Sequence, residues 1–403
     1  MANMIRETGM SRRGFLGTAA AFSIAARKTA LGSEANSRIN VGIVGLGGRG
    51  RMIAVMLQEH EGYQVTGVAD YFQNVAQEVG QWLSVPQERC FSGLHGYQRL
   101  LESGVDAVFL ETPPYCFPEH VQASVEHGCH VFMAKPVACD VPGCLAVQEA
   151  GEKAGKKEQV FLVDFQTRTD PLFIEGIHRL HQGDIGSIGL LSSIYTDESF
   201  PDPPFTGTIE SRLRNLIWVN DDDLGGGYLV NAGIHAIDVA LWMAGDIPTG
   251  ATGASEIVRR EAHGDSHDVY SITFPFKNGV ILNHRGEHLK NGHGFNCECT
   301  AYGQTGYLES GYTGHVRMHG GANPYEGGPV EDLYVQGALR NIDTFHTSII
   351  NGVYDNPTLE PSVNANLAAI LGREAASKKT TITWDELIRQ NRRLEVDTTG
   401  LTL

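Results

Sequence analysis

Two polar side chains far apart in the chain, Lys135 and His235, stand where they could exchange protons with a ligand. Lys135 follows the apolar segment GCHVFMA (128–134), which predicts a buried strand, so it lies at that strand's carboxyl end. Open parallel sheets bind their ligands beyond this edge. His235 belongs to GGGYLVNAGIHAIDVALW (225–242), a segment with helical periodicity. Its spacing of three and four residues places polar side chains on one helix face: Asn231, His235, Asp238 and Trp242.

Converting an alcohol to a carbonyl needs a proton acceptor for the hydroxyl and a positive donor for the developing alkoxide. Lys135 could be the donor, and an imidazole with a reference pKa of about 6.5 could accept the proton. The residues alone leave ordinary alternatives open. Lys135 could be a solvated surface lysine, and His235 and Asp238 could simply satisfy each other or the neighbouring backbone.

The segment VGIVGLGGRG (41–50) predicts a dinucleotide-binding loop between a strand and a helix. Gly45 permits a tight turn, Gly47 lets a pyrophosphate approach the backbone, and Gly50 lets helix and strand pack closely. The phosphates would then meet unpaired N–H groups at the helix N-terminus. The loop residues expected at the cofactor are Gly45, Leu46, Gly47, Gly48, Arg49 and Gly50.

A second predicted strand, YQVTGVAD, ends at Asp70, twenty residues after Gly50. A carboxylate at this place accepts hydrogen bonds from the hydroxyls of the adenosine ribose. It would also repel a 2′-phosphate, so we expect NAD as the cofactor and consider NADP less favoured.

The composition limits the possible partners. The chain has 403 residues, enough for two domains, and a net charge of −16. We find no basic stripe, so nucleic acid is not expected as a partner. Beyond the N-terminus no run of about 20 apolar residues predicts a membrane span. The seven cysteines form no regular disulfide framework.

The N-terminus predicts export. SRRGFL (11–16) carries a twin-arginine pair, Arg12 and Arg13, followed by a weakly hydrophobic region over 15–26. We expect residues 1–37 to be a signal peptide and linker, cleaved within 30–37, and the protein to be periplasmic. A chance arginine pair in a disordered tail is the alternative. The twin-arginine route carries folded proteins, so a tightly bound cofactor could travel inside its protein.

The chain after the leader resembles the glucose–fructose oxidoreductase, inositol dehydrogenase and rhizopine-catabolism (Gfo/Idh/MocA) family. The resemblance rests on five stretches: VGIVGLGGRG, the ETPP…H stretch that ends at His120, MAKPVACD (133–140), FQTRTDP (165–171) and GGGYLVNAGIHAIDVALW. It implies an α/β Rossmann domain with a doubly wound parallel sheet over 38–155. An α+β domain on a large, mostly antiparallel open sheet would follow over 156–403, and this sheet would form a homo-oligomer interface.

The resemblance also implies site residues and a carbohydrate substrate. Beside the loop and Asp70, it places Thr112, Pro113, His120 and Lys135 at the cofactor. It favours Lys135 and His235 as catalytic residues. The candidates for substrate binding are Asn231 and His235 and, as weaker candidates just beyond the strand QVFLVDF (159–165), Gln166 and Arg168. Arg168 could equally be a structural ion-pair partner.

Two positions depart from the family pattern. Ala134 replaces the usual glutamate before Lys135-Pro136, and Asn231 stands where the pattern D-x-x-x-H usually has aspartate. Asn231 can hydrogen-bond a sugar hydroxyl but cannot act as a base.

The sequence HRGEH (284–288), with His293, Cys297 and Cys299 nearby, resembles a zinc motif that requires a helix. It follows NGVILN and contains Gly286, which favours a strand. Residues four apart in a strand stand about 13 Å apart, so no metal site is expected.

Three functions compete. The first is an exported NAD(P)-dependent oxidoreductase that acts on a secondary hydroxyl of a sugar or polyol, with a bound cofactor that a second substrate resets. The second is a redox-neutral glycosidase or lyase that oxidises its sugar transiently. The third is a non-catalytic sugar-binding protein.

Overall fold

The structure, a computed structural model, describes residues 38–200, 202, 209–214, 216–260 and 264–403. The predicted export signal within residues 1–37 lies outside these ranges. In the described ranges, no helix is both long enough and apolar enough to cross a membrane.

The first sheet has six parallel strands in the order β3-β2-β1-β4-β5-β6. This is the doubly wound order of a dinucleotide-binding domain, and it confirms the predicted fold class. The strands are β1 Ile39–Val44, β2 Tyr63–Asp70, β3 Cys90–Ser92, β4 Ala107–Leu110, β5 His130–Ala134 and β6 Phe161–Asp164.

Helices cover both faces of this sheet because its central strands are apolar on both sides. The connecting helices are α1 Gly48–Glu59, α2 Gln73–Leu83, α3 Gly96–Glu102, α4 Phe117–Glu126 and α5 Val141–Lys156. Helices α1 and α2 pack on one face, and α3, α4 and α5 pack on the other. The polar carboxyl ends of the strands are therefore left as the edge where a ligand can enter.

The second sheet has nine strands in the order β14-β13-β12-β11-β7-β10-β9-β8-β15. Only β7 and β10 pair in parallel, so the prediction of a mostly antiparallel sheet is confirmed. The strands are β7 Ile188–Asp197, β8 Gly250–Glu256, β9 Val269–Pro275, β10 Ile281–His288, β11 Asn296–Gly303, β12 Gly306–Gly311, β13 His315–Gly320, β14 Tyr325–Pro329 and β15 Ile382–Thr383.

One face of the second sheet is buried and the other is open, as the alternation along β10 shows. The helices of this half include α6 and α8, which pack against the buried face together with α10. The helices that follow β6 are α6 Pro171–His181, α7 Asp222–Gly225, α8 Ile234–Ala244, α9 Leu333–Asn351, α10 Leu359–Ser377 and α11 Trp384–Gln390.

The first sheet extends beyond residue 155, the predicted end of the first domain. Its last strand is β6, Phe161–Asp164. Helix α9, from the C-terminal part of the chain, also packs on this sheet, on the same face as α1. Phe345 of α9 meets Phe109 of β4 and Phe132 of β5 with ring centroids 5.5 and 5.7 Å apart. The C-terminal half of the chain therefore completes the core of the first domain.

We expect Phe345→Ala to lower the free energy of unfolding by about 3–5 kcal/mol, because it leaves a cavity between two buried rings. Ile350→Ala is the control on the same helix, because Ile350 is 58% exposed, and its effect should stay within about 0.5 kcal/mol. Urea unfolding measures both values. Equal small effects at the two positions would contradict the role of α9 in sealing this core.

Candidate active site

The glycine loop between β1 and α1 has the shape that a pyrophosphate requires. Gly45 has a φ of +89°, and a Cβ there would lie 2.6 Å from the carbonyl carbon of Glu111. A Cβ at Gly50 would lie 1.9 Å from the oxygen of Gly45. At Gly47 and Gly48, by contrast, a Cβ would meet no heavy atom within 4 Å, and no side chain caps α1. This open space in front of uncapped N–H groups fits the phosphates of a dinucleotide.

Asp70, at the carboxyl end of β2, links the glycine loop to the segment after β2 through two hydrogen bonds. Its Oδ2 accepts a hydrogen bond from the Leu46 N–H at 2.8 Å, and its Oδ1 accepts one from the Phe72 N–H at 2.9 Å. Burial raises the pKa of this carboxyl, and the two backbone bonds oppose that shift. The remaining lone pairs can accept ribose hydroxyls.

Thr112, Pro113 and His120, which were expected at the cofactor, follow β4 along the chain. Thr112 Oγ1 lies 3.3 Å from Nδ1 of His120, whose ring packs 4.2 Å from the ring of Tyr97. Burial lowers the pKa of His120 to about 3, so its imidazole is neutral at neutral pH. Pro113 stands at the start of the single turn Pro114–Cys116. The structure thus places these three residues together beside the glycine loop.

The side chain of Arg49 points towards the strand ends instead of the expected phosphate space. It forms an ion pair with Asp164 at the end of β6, and its Nε lies 3.3 Å from Oε2 of Glu111, just after β4. Its guanidinium carbon is 5.0 Å from the ring centroid of Tyr334. Asn341 of α9 donates a 2.6 Å hydrogen bond to Asp164. Arg49 therefore connects the loop, two strand ends and the C-terminal half of the chain.

Glu111, which lies next to Arg49, is unusual because a carboxylate side chain is here fully buried. Neither of its carboxylate oxygens makes a hydrogen bond, although Arg49 lies close to one of them. Burial raises the pKa of Glu111 to about 8, and the charge of Arg49 opposes this rise. Glu111 can therefore hold or release a proton near neutral pH.

Lys135, directly after β5, points towards the segment before α8. Its Nζ donates a 2.5 Å hydrogen bond to the backbone oxygen of Asn231, which lies in the π-helical turn Leu229–Gly233. Burial lowers the pKa of Lys135 to about 7, and the charge of Arg49 adds to this effect. Asn231 thus contributes its backbone carbonyl to the position of the lysine, a contact that its side-chain type does not predict.

His235, at the start of α8, is buried among aromatic rings. The ring centroids of Tyr312, Phe165 and Tyr195 lie 5.5, 6.2 and 6.4 Å from its own. Its Nδ1 has no hydrogen-bond partner. Burial lowers the pKa of His235 well below its usual value, and the charges of Lys135 and Arg49 lower it further. The imidazole is therefore neutral and has an unused nitrogen.

The two other residues expected at the substrate are engaged by the protein itself. Arg168 donates to both carboxylate oxygens of Asp238 at 2.8 to 3.0 Å, and it lies 5.2 Å from the ring centroid of Trp242. Gln166 is buried, donates to the backbone oxygen of Asp164 at 3.1 Å and accepts from the Tyr312 hydroxyl at 3.4 Å. Arg168 therefore has the ion-pair partner that its structural alternative requires, and Asp238 pairs with Arg168 and not with His235.

The HRGEH sequence lies in β10, as its strand prediction requires. His284 pairs with the Ser193 hydroxyl at 2.9 Å. His288 accepts from the Phe200 N–H at 2.9 Å and stacks on Tyr228. Across the described ranges, no group of three or more His, Cys, Asp or Glu side chains is arranged to hold a metal ion.

The sequence did not predict several residues that surround Arg49, Lys135 and His235. Glu111 and Asp164 carried a usable signal, because each is a carboxylate at the carboxyl end of a buried strand. Tyr312, Tyr334 and Asn341 carried none, since only the tertiary fold brings these segments to the first sheet.

The fold and the loop define an NAD-binding oxidoreductase. The family described as "Oxidoreductase family, NAD-binding Rossmann fold" matches residues 39–162, and the Gfo/Idh/MocA C-terminal domain matches residues 177–309. The chain belongs to the Gfo/Idh/MocA family, as its sequence motifs indicate.

Individual relatives are distant. A 2,7-anhydro-N-acetylneuraminate hydratase of Escherichia coli is 26% identical over 60% of this chain and 60% of its own length. An inositol 2-dehydrogenase of Rhizobium meliloti is 22% identical over 84% of this chain and 96% of its own length. The crystal structure of an aldose-aldose oxidoreductase from Caulobacter crescentus complexed with glycerol has a TM-score of 0.68 at 19% identity, covering 86% of this chain and 99% of that one.

We expect Asp70→Ser to raise the ratio of NADP affinity to NAD affinity at least about tenfold, because it removes the charge that repels a 2′-phosphate. The ratio, measured by titration with each cofactor, cancels any general weakening of the loop. The control is Asp106→Ser. Asp106 also accepts a backbone N–H, from Asn40 at 2.8 Å, but at the opposite edge of the sheet. An unchanged ratio in the Asp70 variant would remove Asp70 from cofactor selection.

Proposed function

We propose that this protein is an exported NAD-dependent oxidoreductase that acts on a secondary hydroxyl of a sugar or polyol and retains its cofactor between turnovers. The observation that carries the proposal is the hydrogen bond from Lys135 to the backbone of Asn231, four residues before His235, next to a glycine loop shaped for a dinucleotide. The two side chains are near enough for the charge of Lys135 to lower the pKa of His235. The names of the inositol dehydrogenase and the aldose-aldose oxidoreductase support a polyhydroxylated substrate. The twin-arginine sequence at Arg12 and Arg13 supports export to the periplasm.

The glycine loop and Asp70 would hold NAD, which would supply a hydride acceptor for the carbinol carbon of the substrate. The residues of this chain handle the proton of the hydroxyl. With a pKa of about 7, Lys135 can accept that proton near neutral pH, where a general base works best. Its hydrogen bond to the Asn231 carbonyl holds the amine in place. Neutral His235 can donate a hydrogen bond to the same oxygen or accept one from a neighbouring hydroxyl.

This assignment revises the roles expected from the sequence, in which Lys135 was the cationic donor and His235 the base. The reason is electrostatic. Burial disfavours the imidazolium form of His235, and the nearby charges of Lys135 and Arg49 disfavour it further. Burial disfavours the ammonium form of Lys135 in the same way.

For this mechanism, kcat/KM for alcohol oxidation should rise with pH through about 7 and then level off. Below that pKa, Lys135 is an ammonium and cannot accept a proton. Lys135→Arg keeps the charge and the donors but cannot lose its proton, so it should reduce kcat/KM by about 100-fold or more at every pH. Melting temperatures with and without NAD check that the variant still binds the cofactor. Substantial activity in Lys135→Arg would return the lysine to the role of cationic donor.

The redox-neutral glycosidase or lyase remains the second candidate. The hydratase name of the Escherichia coli relative favours it, because hydration involves no net oxidation. Both candidates need a cofactor that is restored within each catalytic cycle, and export from the cytosol favours that requirement. A non-catalytic sugar-binding role is less consistent with a lysine pKa matched to proton transfer.

We also propose that the protein forms a homo-oligomer through the open face of the second sheet. Ile281, Leu190, Tyr302 and Tyr307 pair directly across four adjacent strands, and each is between 36% and 44% exposed. Such a continuous apolar row is typical of a protein interface.

Turnover should need no added NAD. Enzyme freed of excess nucleotide is given candidate sugars and glycosides, and the products per enzyme molecule are counted. We expect many turnovers without a net rise at the absorbance band of reduced nicotinamide. Deuterium on the oxidised carbon should be retained in the product or passed to a second sugar, which separates the redox-neutral reaction from the paired oxidoreductase. A reaction that stops after one turnover and resumes only with added NAD contradicts the closed cycle.

A further inference from the structure

Arg214 reaches from the second half of the chain to the adenosine side of the dinucleotide site. Its guanidinium carbon lies 3.8 Å from the ring centroid of Phe72. Phe72 comes two residues after Asp70 and donates its N–H to that carboxylate. The charge of Arg214 also acts on Asp70, where it opposes the rise in pKa that burial causes. Arg214 therefore stands beside the carboxylate expected to bind the ribose.

This contact crosses between the two halves of the chain. The short turn Ile209–Leu213 precedes Arg214, and the second sheet begins before it with β7. Within the described ranges, the guanidinium makes no hydrogen bond and no ion pair, so its donors are available. The two arginines at the glycine loop and the start of α1 are both engaged, because Arg49 pairs with Asp164 and Arg51 pairs with Glu78 at 2.9 Å.

The C-terminus approaches the same side of the site. The Leu94 N–H donates to the backbone oxygen of Thr402 at 2.9 Å, and the Thr402 N–H donates to the hydroxyl of Tyr71 at 3.1 Å. Two segments from later in the chain thus border Tyr71 and Phe72, the residues that follow β2. The edge of the adenosine site is not formed by the first domain alone.

We propose that Arg214 is a cofactor-retaining residue that closes over the adenosine half of NAD and slows its release. A guanidinium has a flat face that stacks on an aromatic ring or a purine, and edge donors that reach ribose hydroxyls or phosphate oxygens. In this position it connects the two halves of the chain across the cofactor. The consequence for turnover rests on the proposed function, but the binding role rests only on the dinucleotide site.

The first experiment measures how fast NADH leaves the full-length protein. Loaded enzyme is mixed with a large excess of NAD, and the loss of bound-NADH fluorescence gives the release rate. Arg214→Ala should release NADH about tenfold faster, as the loss of a stacked, charge-assisted contact implies. Arg179→Ala is the matched control, since Arg179 lies 4.9 Å from the ring centroid of Tyr325, away from the loop, and its release rate should equal that of the wild type.

The second experiment shows which half of the cofactor Arg214 binds. ADP-ribose carries the adenosine half, and nicotinamide mononucleotide lacks it. Arg214→Ala should weaken ADP-ribose binding about tenfold and leave nicotinamide mononucleotide binding unchanged. Equal weakening of both probes would point to a general disturbance and overturn the proposal, as would an unchanged release rate. If instead the wild type itself fails to retain NAD on dialysis, the proposed closed cycle fails, whatever Arg214 does.

Discussion

The guanidinium of Arg49 joins parts of the chain that are otherwise separate, because Asp164 and Glu111 face it from two different strand ends. Tyr334, from the start of α9, covers the same guanidinium, and Asn341 holds Asp164 from the next turns of that helix. Burying such a pair costs desolvation energy that an apolar replacement would avoid, and removing one partner typically costs about 3–5 kcal/mol. The ion pair therefore fixes the geometry of the loop more than it adds stability.

The same cation also acts on the pKa values of Lys135, His235 and Glu111. Burial lowers the pKa of Lys135 and of His235, and the charge of Arg49 lowers both further. For Glu111, burial raises the pKa and the charge of Arg49 only partly offsets that rise. Glu111 directly follows Leu110, which pairs with Met133 of β5, so it lies beside Ala134. A carboxylate is missing from position 134, and the neighbouring strand supplies one at the same edge. The departure at Ala134 thus leaves the lysine with a nearby acid, although from a different element.

Local pattern was sufficient for the parts of the site that are contiguous in sequence. Hydrophobic period and turn chemistry predict the glycine loop, Asp70 at a strand end, the helix that carries His235 and the strand that contains HRGEH. Local pattern could not predict the positions of Tyr334, Asn341 or Arg214, because it does not determine where a helix or turn packs in the tertiary structure. The pKa shifts of Lys135 and His235 also depend on burial and on the charge of Arg49, and neither can be predicted from residue type.

The position of α9 makes the dinucleotide site a property of the whole chain. The Rossmann sheet has its glycine loop and Asp70 by residue 70, yet the face that α1 covers is completed only by Ala338, Ile342 and Phe345. Asp164 likewise receives its second partner only from Asn341. A chain interrupted before α9 would hold Arg49 less firmly and would leave the apolar face of the sheet in water. The geometry of the dinucleotide loop is therefore coupled to complete folding of the C-terminal half of the chain.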